Sequence, residues 1–115
     1  EQKHKPLHML SAKKGRNIHI LNIDEVISIE ASDKLIYAHT DDGKFRIDIS
    51  LDEIEKRTPD ASFIRTHRSA LVNVKHIREL IPWFSGTYEV KMSNGETVKV
   101  SRRRVGEVKS SLGIS

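Results

Sequence analysis

Between Ala61 and Arg78 the chain runs eighteen residues without a carboxylate, while Arg65, His67, Arg68, Lys75, His76 and Arg78 all fall inside it. Clustered cations with no acidic neighbours favour capture of an anion. A basic loop solvated between two strands has the same composition, so charge alone leaves both readings open. Phe63 and Ile64 on one side and Ala70, Leu71 and Val72 on the other flank the polar centre Arg65-Thr66-His67-Arg68-Ser69. An apolar frame around a polar tip is how a rigid binding surface is built. A second basic group, Ser101-Arg102-Arg103-Arg104, stands where a terminal helix is expected to begin. Cations at a helix N-terminus oppose its dipole by about 0.3–1 kcal/mol each. Three arginines there serve stability poorly and serve a docked anion well, because N–H groups and guanidiniums would act together.

Catalytic and metal-binding patterns are weak by comparison. His67 and Ser69 lie two residues apart with Asp60 nearby, but no Gly-x-Ser-x-Gly elbow surrounds the serine. His4 and His8 have helical spacing without a third ligand. The glycines stand singly in turns, so no phosphate-cradling loop is present. Asp41-Asp42 reads as a turn. No active site, cofactor or metal is expected.

The elements that must position these residues are short. Leu7 to Ala12 and Asn17 to Leu21 read as strands joined through Gly15, which supplies a positive φ. Asn22 to Glu25 reads as one capped turn. Val26 to Ala31 follows, with Ile27, Ile29 and Ala31 on one face. Ser32-Asp33-Lys34 is a loop into a strand at Leu35 to Thr40, and Asp41-Asp42-Gly43 turns it into Lys44 to Ile49. Ser50 to Glu53 has capping-box spacing and opens a helix through Arg57, which Pro59 ends. Ile77 to Phe84 is a strand that Pro82 confines to an edge or bulge. Asn94-Gly95 is the strongest hairpin signal, joining Tyr88–Met92 to Thr97–Val100. Ser101 is expected to cap a last helix with Val105, Val108 and Leu112 on its apolar stripe. Eight to ten short strands and two short helices result, with residues 1–9 read as a tail or linker remnant and 10–113 as one domain.

Composition agrees with one domain. The 115 residues are 37% hydrophobic and 31% charged, with no cysteine for disulfides or thiolate metal sites. No apolar run is long enough for a membrane span and no signal-peptide region opens the chain, which favours the cytoplasm. The net charge of +4 conceals a division. Asp24 to Asp60 holds 11 acids against 5 bases, so the rest of the chain carries +10. Such segregation with a pI near 9.5 is what a nucleic-acid binder shows.

Phe63-Ile64-Arg65-Thr66-His67-Arg68-Ser69-Ala70-Leu71-Val72-Asn73, followed by Ile77, resembles the signature of the LytTR DNA-binding domain, the output half of LytR-, AgrA- and AlgR-type bacterial response regulators. Val98-Lys99-Val100-Ser101-Arg102-Arg103 looks like the terminal strand and Val-Ser-Arg element of that family, and Val26 to Ala31 like its early strand. The likeness runs from about Leu10 to Leu112. It implies a mainly β, elongated antiparallel fold of several small sheets with two short helices, whose loops enter successive major grooves on one side of a bent duplex. By position it implies DNA contacts at Lys34 (or Leu35), at Arg68, and at Arg103 with Arg102. His67 and Asn73 fall at signature positions that are either structural or phosphate-facing. The implied partner is double-stranded DNA at direct-repeat sites. A homodimer on DNA and a receiver domain in the full-length protein are further implied partners, and no membrane partner is expected. The alternatives are an RNA- or single-strand-binding domain and a protein-interaction β module. The first needs exposed aromatics, of which the chain has few. The second would use Trp83-Phe84 beside Gly86.

Overall fold

A computed structural model of the chain describes residues 5–58 and 62–114. His4, Pro59 and Asp60 therefore lie outside the described residues. Ten strands and two short helices follow one another as β1 (Met9–Lys14), β2 (Asn17–Asn22), β3 (Ser28–Ser32), β4 (Leu35–Thr40), β5 (Gly43–Ile47), α1 (Leu51–Arg57), β6 (Phe63–His67), β7 (Ala70–Asn73), β8 (Ile77–Pro82), β9 (Tyr88–Met92), β10 (Thr97–Val100) and α2 (Val105–Ser111). All pairings are antiparallel. Seven strands form one sheet in the order β2-β1-β5-β4-β3-β7-β6, and three form a second in the order β10-β9-β8. The β1–β2 hairpin joins the large sheet through a single register pair, Lys13 with Arg46. Pro82 sits on β8, an edge of the small sheet, where its missing N–H costs no ladder bond.

Local chemistry explains most boundaries. Ser50 accepts from Glu53 N–H at 3.1 Å and starts α1. Asn22 accepts from Asp24 N–H at 3.0 Å and caps a single 3-10 turn at Ile23–Glu25. The expected tail boundary after residue 9 falls inside β1. Leu7 is buried, and its N–H donates to Arg57 O at 2.8 Å.

Two cores flank the middle of the large sheet. The first gathers Leu10, Ile29, Phe45, Ile47, Leu51, Ile54, Phe63 and Leu71 beneath α1. The second packs Ile64, Ala70 and Val72 against Val90, Val98 and Val100 of the small sheet and Val108 of α2. β6 and β7 therefore divide the cores, with alternate side chains entering each. The sequence pattern set Ile27 on one face with Ile29. Ile27 instead belongs to the second core, because regular pairing begins only at Ser28. His39 Nδ1 lies 3.1 Å from Glu96 on the β9–β10 turn, a polar link between the two sheets.

Candidate nucleic-acid interface

The polar centre forms the tip of the β6–β7 hairpin. His67 pairs with Ala70, so Arg68 and Ser69 form a two-residue turn, and the ladder is irregular between Arg65 and His67. Ser69 N–H donates to His67 Nδ1 at 3.2 Å, and the Ser69 hydroxyl lies 2.9 Å from the same nitrogen. Because Nδ1 accepts, the ring proton belongs on Nε2. The His67–Ser69 pair thus braces a turn.

Behind the tip lies Arg65. Its Nη1 donates to Asp52 and to Glu55 of α1 at 2.9 Å each. Its Nε donates to His67 O at 3.1 Å and its Nη2 to Arg68 O at 2.6 Å. Hydrogen bonding and charge from Arg65 hold the Asp52 carboxyl below its ordinary value. Burial pulls on Arg65 in the opposite sense, but the two carboxylates together keep its guanidinium above the ordinary arginine value. Arg65, one of the basic residues of the acid-free segment, is thus a bracket.

Several neighbours are also committed. Lys75 pairs with Asp24 at 3.3 Å. His76 bonds Ser93 at 2.8 Å and Asp24 O at 3.0 Å. Arg78 donates to Lys75 O at 3.0 Å. At the hairpin tip Arg68 is exposed, with His67 half-buried beside it; Lys75 and Arg78 are exposed as well but hold the partners just named.

A second turn adjoins this tip. Ser32 pairs with Leu35, so Asp33-Lys34 is a two-residue connection between β3 and β4. Asp33 and Lys34 sit at φ 51° and 69°, the left-handed pair a primed hairpin turn demands and non-glycine residues resist. β3 is hydrogen-bonded to β7, and Ala31 N–H donates to Ser69 O at 2.9 Å. The Lys34 and Arg68 turns therefore leave the same end of the sheet, about two strand spacings, or ~10 Å, apart.

The third group lies on the other side of Arg68. Arg102–Arg104 form a 3-10 turn ahead of α2. Ser101 was expected to cap this helix with its side chain. Its side chain makes no such bond; separately, its N–H donates to Thr66 O at 2.9 Å, which ties the arginine turn to β6. Arg68 and Arg103 consequently line one cleft of about 170 Å³ with His67, Ser101 and Arg104. Among the described residues no carboxylate forms an ion pair with Lys34, Arg68, Arg102 or Arg103.

Asn73 is the expected site residue that has no access to a ligand. It is fully buried; its amide donates to Val26 O at 2.9 Å and its carbonyl accepts from Lys75 N–H at 3.1 Å. Of the two readings open for it from sequence, the geometry is that of a structural residue. Trp83 and Phe84, by contrast, are 51% and 83% exposed. Their adjacency to Gly86 was the available sequence signal.

A β scaffold that presents unpaired lysine and arginine side chains from three neighbouring turns has the surface of a DNA-binding domain. The comparisons agree. The chain belongs to the LytTR DNA-binding domain family, whose profile matches residues 16–113. It is 35% identical over 114 residues to the sensory transduction protein LytT of Bacillus subtilis, covering 99% of this chain and 47% of that protein. It is 37% identical over 97 residues to the transcriptional regulatory protein LytR of Staphylococcus aureus, covering 84% and 39%. A solved LytTR DNA-binding domain from Bacillus cereus superposes with a TM-score of 0.87 at 32% identity, covering 94% of this chain and 99% of that one. The chain thus spans less than half the length of these curated relatives.

Proposed function

We propose that this domain binds double-stranded DNA sequence-specifically, as the output module of a bacterial response regulator acting on transcription in the cytoplasm. The observation that carries this reading is the shared cleft of Arg68 and Arg103, with the Lys34 turn beside it at the same end of the sheet. Arg68 is central, between Lys34 on one side and Arg102–Arg103 on the other. Arginines on braced backbone can take guanine O6 and N7 bidentately. His67 Nε2–H, Arg102 and Lys99 hold the sugar–phosphate backbone and set register. The flanking turns enter successive major grooves of a bent duplex, and two domains occupy direct-repeat half-sites. A receiver domain in the whole protein governs their pairing.

Binding to a duplex library and to single strands, over a range of salt, tests this. Five to eight phosphate contacts, as an order of magnitude, give a log–log slope of about −4 to −7. A slope near zero, or equal affinity for single strands, refutes the reading.

A further inference from the structure

The turn between β8 and β9 carries the two most solvent-open aromatics of the described residues, Phe84 at 83% and Trp83 at 51% exposed. Leaving a phenylalanine in water forgoes the stabilisation that burying its ring would give. The turn is nevertheless built. Trp83 N–H donates to Thr87 O at 2.8 Å, and Thr87 donates to Phe84 O through N–H at 3.1 Å and Oγ1 at 2.8 Å. Ser85 is held at φ 58°, a strained conformation for a residue with a side chain. A braced and strained turn that displays two rings is an element prepared for a partner.

Its surroundings indicate which partner. The aromatics line a groove of about 490 Å³ together with Tyr88, His67, Lys99 and Arg102. The Arg102 stem runs along the turn, its Cδ 3.8 Å from where a Cβ on Gly86 would lie. Lys99 and Arg102 outnumber the one carboxylate in the lining, Glu89. His67 and Ser101 line both this groove and the Arg68–Arg103 cleft, so the two adjoin. An apolar floor with a cationic rim, adjoining the Arg68–Arg103 cleft, matches a strand of DNA in cross-section: an apolar sugar edge beside a phosphate.

We propose that the Trp83–Phe84 turn is a DNA contact that lays its rings on the deoxyribose edge of the strand whose phosphates Arg102 and Lys99 hold. This inference rests on the duplex-binding reading above. The occupant is the duplex itself, engaged independently of base sequence.

Trp83 is the sole tryptophan of the chain, so its emission reports on this turn alone. The domain is titrated with its selected duplex and with a scrambled one, reading Trp83 emission and affinity at several salt concentrations. Trp83 emission changes and saturates with the affinity measured by anisotropy. Phe84→Ala weakens both duplexes by a similar factor, about fivefold to tenfold, with the salt slope unchanged, because an apolar contact releases no counterion. Arg102→Ala lowers the slope by about one. Phe84 is exposed, so its truncation leaves the cores intact, and circular dichroism checks this. Silent Trp83 emission at saturation, or a Phe84→Ala variant that binds as the parent does, overturns the inference and leaves the patch to a protein partner. Failure of the parent domain to bind duplex at all, with Arg68→Ala no different, is a separate result that overturns the DNA reading itself.

Discussion

Arg65 donates through Nη2 to the main-chain carbonyl of Arg68 at 2.6 Å, so one arginine fixes the backbone from which another projects. The same guanidinium is anchored to Asp52 and Glu55 of α1. The hairpin tip is thereby tied to α1.

Arg65→Met removes these donors while keeping an apolar stem. It should cost about 2–3 kcal/mol of stability, typical of lost charge-assisted hydrogen bonds, and should weaken DNA binding without direct contact. Denaturant titration and anisotropy check both; unchanged values for the two would remove the bracket role. Acid should have the same effect. The Asp52 carboxyl is depressed below 3.8 by Arg65, so its contribution is complete above that pH and is lost as pH falls below it. Unfolding midpoints of the parent should drop in that window more steeply than those of Arg65→Met.

Arg68→Ala and Arg103→Ala should each cost about 1–3 kcal/mol on the preferred site and much less on scrambled duplex, with stability unchanged. Lys99→Ala should weaken both duplexes by similar, smaller amounts, as a backbone contact does. Equal losses on both duplexes for the two arginine variants would make them phosphate anchors.

Lys34→Gly separates strain from function. Glycine adopts φ 69° without the penalty a side chain carries there, so the variant should be more stable by roughly 0.5–1 kcal/mol. DNA affinity should fall, since the only side chain the turn offers beyond Asp33 is gone. A variant that is more stable and binds equally well would exclude Lys34 from the interface.

Asn73→Ala should lose about 1–3 kcal/mol of stability, because Val26 O and Lys75 N–H are orphaned near the core. Above its lower melting temperature it should bind no DNA, and below it should bind like the parent. A selective loss of binding in a fully folded variant would return Asn73 to the interface.

Much of this was legible from the sequence. Alternation along Lys44–Ile49, the Ser50 cap and the Asn94-Gly95 turn each follow from local chemistry, and the structure contains them. The likeness to LytTR domains named the family that the profile and the solved relative confirm. Partnership was not legible. Arg65 and Arg68 are the same residue type three positions apart, and only the docking of α1 separates a paired bracket from an exposed cation. Asn73 reads as a polar residue after an apolar run, and its burial depends on Val26, 47 positions away. Ser101 satisfies the statistics of a cap, yet its side chain makes no capping bond, and its N–H is tied to Thr66 on β6.

The hairpin that carries Arg68 has a core against each face, closed below by α1 and above by the small sheet. A turn held in this way has little freedom to follow an ill-fitting groove. Accommodation then falls to the duplex, whose deformability varies with its steps. Operators should accordingly favour easily bent pyrimidine–purine steps between the contacted bases, at positions no side chain reaches. Selection would be exerted there by the stiffness of the protein rather than by its hydrogen bonds.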